Sequence, residues 1–505
     1  MQDLRKILLF LITSIILPNE LDSSFINHHN IDYKAILIPD YEIEGSKFEI
    51  EYLDKRKKFF VDIKLDHLDE QNSLRINISP ELKLKQFKFK MNLDYLFSND
   101  SSNYNNNWSG TFDIIERIEY LEYSLFDNKI NLYLGNIKNL NFGHGYLLSN
   151  YNNNYRFPIV RNLGLIFKYQ NSNSSITHDL FISSLRDFSN GGGLLGNRFS
   201  ILISDKFPLR FGFAHIIDLN QFVNYEEEFQ DISREINGFE MDFSFPFIDL
   251  ANKKLFFIGE ISAIDYPEKR YYKRVDDNEF TNDKKSREGI WGVAFPGIKY
   301  IGNILEFSLA ANYNSAIYSP YYFNSTYDFE KIRFREYNIS ENEILYTDEA
   351  ELLEAFSSSD STIFIPKDMY GMINESENIY PTYGFSSSFK LKISKKHQMD
   401  LSYSYFKNIS DIDNSFFNTL SFNYFLFKKI VFFPTIFEIY LSKNFFKVKE
   451  LYQYDENLIY GLNLDLTIYK SLSLSGKFKH TFYDINFDGK IDLVPYVSIG
   501  LNYKY

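Results

Sequence analysis

The sequence predicts an all-β fold, a transmembrane antiparallel up-and-down β-barrel of about 20 strands within a range of roughly 18 to 22. Three observations predict it. Apolar residues recur with a two-residue period along the chain, short turns alternate with long polar loops, and aromatic residues reach 18% although mean hydropathy is only −0.30. Successive side chains of a strand point to opposite faces, so a two-residue period gives each strand one apolar and one polar side. Closed into a barrel, the apolar side meets lipid and the polar side meets an aqueous lumen.

Residues 1–22 have the form of a signal peptide. Arg5 and Lys6 precede an apolar run from Ile7 to Ile12 and then Ile15, Ile16 and Leu17, which Pro18 ends. That run is about half the ~20 residues of a spanning helix. With no cysteine in the chain, a lipid-modified N-terminal cysteine is excluded. Residues 23–58 are expected to be a periplasmic segment, a plug or the first strands, and residues 59–505 the barrel. No later stretch approaches the length of a spanning helix, so any membrane crossing must use closed strands.

The strands can be read in order. Phe59, Val61, Ile63 and Leu65 interleave with Phe60, Asp62, Lys64 and Asp66; Phe87, Phe89, Met91, Leu93 and Tyr95 interleave with Lys88, Lys90, Asn92 and Asp94. The same period marks 163–169, 199–203, 239–245, 385–393, 399–405, 420–426, 458–468 and 472–478. Short turns are expected at 127–129, 171–175, 204–208, 251–254, 297–302, 394–397, 428–430 and 469–470. Long loops are expected at 98–112, 139–160, 186–197, 218–235, 265–288, 314–381, 408–416, 444–456 and 483–492. This alternation suits short periplasmic turns and long extracellular loops.

At the end of the chain Val497, Ile499, Leu501, Tyr503 and Tyr505 share one face. A terminal aromatic with apolar residues at every second preceding position resembles the assembly signal of bacterial outer-membrane β-barrels. The resemblance is to this general, porin-like class rather than to one family. It implies an outer-membrane, multi-pass location with surface-exposed loops, and outer-membrane lipid and the barrel assembly machinery as partners. A formal net charge of −13 argues against nucleic acid as a partner.

Inward positions near the closing seam are basic: Arg75, Lys88, Lys90, Lys477, Lys479 and Lys504, with Lys390 and Lys392 a few strands away. Glu240, Asp242 and Glu260 are expected on the far wall, which would set a transverse field across the pore. Asp62, Asp66 and Asp465 fall within the basic sector and weaken that field. The loop Phe142-Gly143-His144-Gly145-Tyr146 is aromatic rather than acidic, and its glycines allow the backbone to fold back closely; it is the candidate constriction loop. Residues 314–381 form the longest connection, a candidate lid, cap or extracellular ligand site.

The run from Asp484 to Asp492 resembles a calcium loop, which implies Asp484, Asn486, Asp488 and Asp492 as side-chain ligands and Lys490 as a carbonyl ligand. It departs from that pattern in having Pro495 at the twelfth position and no flanking helices, and Asp488-Gly489 is also a common hairpin pair. No other cofactor is expected. The chain has no G-x-S-x-G, H-E-x-x-H or phosphate-cradling glycine loop, so no enzymatic activity is expected. The function these features favour is a porin-like channel for passive diffusion of small polar or charged solutes. The alternatives are a plugged barrel taking up a hydrophobic substrate and a surface adhesin or structural protein acting through its loops.

Overall fold

A computed structural model of the chain describes residues 57–68, 71–98, 111–154, 161–204, 206–221, 223, 235–250, 253–266, 270–274, 290–316, 318–336, 343–347, 362–367, 381–394, 397–409, 416–430, 433–446, 458–469, 471–483 and 492–504. The leader expected at 1–22, nearly all of the 23–58 segment, residues 484–491 of the calcium-type loop and Tyr505 lie outside them.

Alternation of apolar and polar residues produces the strands β1 (Lys57–Leu68), β2 (Gln71–Lys83), β3 in two pieces (Phe87–Met91 and Leu93–Ser98), β4 (Ile118–Leu125), β5 (Ile130–Gly135), β6 (Gly164–Gln170) and β7 (Ile176–Ile182). They continue as β8 (Leu194–Leu202), β9 (Arg210–Asp218), β10 (Ile236–Leu250), β11 (Lys253–Asp265), β12 (Trp291–Gly302), β13 (Leu305–Asn314) and β14 (Thr382–Ser394). The last are β15 (His397–Asn408), β16 (Phe416–Ile430), β17 (Phe433–Phe446), β18 (Leu458–Tyr469), β19 (Leu472–Tyr483) and β20 (Asp492–Lys504). Both pieces of β3 pair with β2, so the 21 segments of the main sheet make 20 strands. Neighbours in sequence pair antiparallel. β20 returns to β1, from Phe60 opposite Lys504 to Leu68 opposite Tyr496, and closes the barrel without a free edge.

Burial follows the two-residue period. Leu65 is 66% exposed and Asp66 3%; Met241 is 56% exposed and Glu240 1%; Ile499 is 56% exposed and Ser498 2%. The outward side chains are therefore apolar and the inward ones polar, the arrangement hydrocarbon outside and water inside require. Val497, Ile499, Leu501 and Tyr503 lie outward on β20. A charge on this surface is expected to be costly. Met241→Arg should destabilise the barrel by ~2–4 kcal/mol if it lies near the bilayer midplane. Earlier loss of the heat-resistant band on a gel would show it, and an unchanged melting point would contradict an outward Met241.

Short connections (84–86, 126–129, 171–175, 203–209, 251–252, 303–304, 395–396, 431–432 and 470–471) gather at one end, and the long ones at the other. At the long-loop end, β1 and β2 are separated by only two residues, 69–70. The turns expected at 297–302 and 428–430 fall inside β12 and β16 instead. Gly297 looks like a turn residue in sequence, but it sits in the sheet where a Cβ would come within 2.8 Å of Ile258 and 3.1 Å of Ala310.

Twenty strands enclose more space than wall side chains can fill. On one side the described residues fill it with a hydrophobic cluster. Inward residues such as Phe181, Ile216, Ile236 and Ile264 pack against Phe142, Leu147 and Leu148 from the β5–β6 connection and Tyr322, Phe323 and Tyr327 from the β13–β14 connection.

Candidate functional site in the barrel lumen

The β5–β6 connection folds into the barrel through a glycine-dependent turn. Gly143 and Gly145 have φ of +52° and +84°, where a side chain is strained. A Cβ on Gly143 would also collide with Glu240 and come within 3.0 Å of Glu260 Oε2. The Gly145 N–H donates to Phe142 O at 2.8 Å, and this turn aims two further amides at the wall. The His144 and Tyr146 N–H groups donate to the two oxygens of Glu260 at 2.7 and 2.9 Å. His144 Nε2 lies 2.9 Å from Phe243 O, and the Tyr146 hydroxyl bonds Asn314. Loop and wall are thus joined from β10 to β13.

The β13–β14 connection, expected as a lid, a cap or a partner site, turns inward over Tyr318–Lys331 and zips to the first loop. The Tyr321 N–H donates to Tyr146 O at 2.8 Å, Phe323 N–H to Leu147 O at 3.1 Å, and Ser149 N–H to Phe323 O at 3.0 Å. Tyr318 bonds Ser262, and the Tyr327 hydroxyl donates to Asp218 Oδ2 at 2.8 Å. Lys367 Nζ donates to Tyr322 O at 2.8 Å and lies 5.3 Å from the Tyr322 ring centroid and 5.5 Å from that of Tyr327. The wall makes room by omitting side chains: a Cβ on Gly238 would stand 2.9 Å from Phe323 and 3.0 Å from Leu147.

Glu240, Asp242 and Glu260 all face the lumen beneath this plug, but they do not form a bare acidic wall. Arg198 on β8 reaches across Gly212 on β9 and donates to both oxygens of Asp242 at 2.9 and 2.7 Å. Glu260 is engaged by the loop amides, and Glu240 is sealed under Gly143. The expected far wall is therefore the seat of the plug rather than a surface open to ions.

The basic sector is also not purely basic. Arg75 Nε lies 2.7 Å from Asp66 Oδ2, Lys88 Nζ 2.7 Å from Glu122, Lys90 Nζ 2.9 Å from Glu119, Lys83 Nζ 3.0 Å from Glu81, and Lys64 Nζ 3.5 Å from Asp62. Asp94 takes both Arg117 and Arg161. Lys392 Nζ stands 2.8 Å from Glu306, and Lys390 lies in register between Glu306 and Asp400. Lys477 and Lys479 face inward on β19, opposite Asn463 and Gly461. Lys504 pairs by backbone with Phe60, and its side chain lies outside the described residues. Closure of the barrel does bring first and last strands together, but the cations in these ion pairs meet carboxylates of the same sector, so the sector is mixed in charge.

Of the calcium-type residues, Asp484, Asn486, Asp488 and Lys490 lie outside the described residues, and Asp492 opens β20 opposite Tyr483. Among the described residues no three His, Asp or Glu side chains are placed to hold a metal ion. Arg198, Tyr318, Phe323 and Tyr327 were not singled out by sequence. Arg198 had a readable signal, being an inward charge on β8 in register with Asp179 on β7 and two strands from Asp242 on β10; the tyrosines lay in a loop whose pattern has no period.

Burial pushes the His144 imidazole down to about 4; Lys299 adds to the shift and Asp242 opposes it. A depressed folded pKa means the docked loop holds neutral histidine while the released loop binds a proton more readily. The histidine's own contribution to docking is then full above the ordinary value near 6.5 and weakens as pH falls toward 4. The rise in protease access to the loop between neutral and acid pH should therefore be smaller in His144→Gln than in the unsubstituted protein. An identical acid profile in that variant would refute the assignment.

No family model matches the sequence, and no curated protein is significantly similar to it. Solved structures that align with it include the outer membrane protein OprD from Pseudomonas aeruginosa (8% identity, 89% of this chain and 93% of that one, TM-score 0.32). The siderophore receptor PirA from the same organism aligns at 8% identity over 89% and 81% with a TM-score of 0.35. The FrpB iron transporter from Neisseria meningitidis aligns at 9% over 90% and 83% with a TM-score of 0.34. All three scores are low, so the assignment stands on the closed sheet itself. A closed 20-strand antiparallel barrel with an apolar exterior, short turns at one end and long loops at the other is a transmembrane structure of the bacterial outer-membrane class.

Proposed function

We propose that the chain is an outer-membrane channel passing small polar solutes by diffusion, with its bore narrowed from one side by the two zipped loops. One observation carries the reading. Among the described residues the hydrophobic cluster draws on β6–β15 and their connections, whereas β16–β20 and β1–β4 present mainly hydrophilic inward residues such as Ser421, Asn423, Asn463, Lys477, Lys88 and Glu122, with few buried apolar ones such as Leu96, Ile459 and Val494. A lumen meant to hold a hydrophobic substrate would be expected to line that side with apolar groups.

Purified protein in planar bilayers should give stable ohmic conductance steps. Electrical silence combined with tight binding of a surface partner would replace this reading with the adhesin one.

A further inference from the structure

The wall formed by β1–β4 carries a column of alternating charges along its length. The register of β2 orders it. At the short-turn end Lys83 lies opposite Lys88, and these cations hold Glu81 and Glu122. One level on, Glu81 lies opposite Lys90, which holds Glu119. Next, Asn77 lies opposite Asp62 and Asp94, and donates to Asp62 at 3.0 Å. Above it Arg75 lies opposite Lys64, and beyond that Ser73 lies opposite Asp66. Ten residues separate the first level from the last, about 33 Å of strand at ~3.3 Å per residue, comparable with a bilayer core. The Lys88–Glu122 pair is the most open, its side chains 44% and 34% exposed, and Lys90 and Glu119 are 21% and 20% exposed.

We infer that this column selects solutes carrying both a positive and a negative group. The inference rests on the channel reading above. A singly charged ion meets attraction and repulsion in equal measure along such a wall, so it gains little. A dipolar solute can exchange partners with Lys88 and Glu122, then with Lys90 and Glu119, and then with Lys64 and Asp62. At each exchange one ion pair replaces another, and no charge is left without a counter-charge.

Glycine and glycolamide have the same atoms, but only glycine is a zwitterion at neutral pH. Swelling of liposomes containing the full chain, corrected for protein-free vesicles, should be about threefold faster in glycine, the size of preference one exposed ion pair supports. The variant K88Q/K90Q/E119Q/E122Q keeps the net charge and should bring the ratio toward one. The swapped pair K88E/E122K keeps the dipole and should retain the preference. Equal swelling of the wild-type protein in both solutes overturns the inference while leaving the channel standing. A preference lost on K88E/E122K, in protein that still shows heat-modifiable migration, also overturns it. Absence of swelling in either solute overturns the channel reading itself.

Discussion

Excision of Asn141 to Asn150 should enlarge the channel more than any single substitution. The cut is structurally clean, because Leu140 and Tyr151 already exchange two main-chain hydrogen bonds of 3.0 and 2.9 Å and can be joined by an Asn-Gly hairpin turn. The excision removes Phe142, Leu147 and Leu148 from the hydrophobic cluster, both amides that engage Glu260, and the partners of Tyr321 and Phe323. The second loop then loses its ladder and should loosen with the first. Single-channel conductance should rise on the order of threefold or more, since a barrel of ~16–18 strands already holds an aqueous channel when nothing fills it. Unchanged conductance would mean that the loop lies outside the permeation path.

The second large effect is expected at the buried ion pair under the plug. Arg198→Ala leaves Asp242 without the guanidinium that bonds both its oxygens, with Glu260 directly opposite and Glu240 two residues away. Removing one partner of a buried pair costs ~3–5 kcal/mol because the remaining charge has no compensation. The barrel should therefore lose its heat-resistant migration at a markedly lower temperature. The double variant Arg198→Ala/Asp242→Ala should recover most of that loss, because it removes the orphaned charge along with its partner. Equal melting of the single and double variants would show that the pair is not the source of the destabilisation.

Architecture was legible because solvation enforces it locally. Met241 must face lipid and Asp242 must not, so each strand carries its own orientation in a few residues, and strands of 5 to 15 residues could be read one by one. Two turns were misplaced where glycine or lysine stood inside a strand, at Gly297 and Lys428–Lys429, since glycine signals close packing as readily as a turn.

The lumen was less legible. His144 between two glycines marked a backbone that folds closely, but its acceptor, Glu260, is 116 residues away, and nothing local names it. The Tyr318–Tyr327 segment gave no warning of burial because it is neither periodic nor continuous in hydrophobicity. The sign of each charge is local information, whereas its compensation depends on strand register, as where Lys88 finds Glu122 across the sheet.

Single-cysteine labelling tests the central arrangement most directly, since the chain has no cysteine of its own. With a water-soluble thiol reagent on protein in liposomes, Lys477→Cys and Lys479→Cys on β19 should react, and Phe478→Cys between them should not. On β11, Ile261→Cys should stay unlabelled, and Ser262→Cys should react only after residues 141–150 are excised. Labelling of Phe478→Cys as fast as Lys477→Cys, or of Ser262→Cys with the loop intact, would contradict a lipid-facing exterior and a lumen filled from one side.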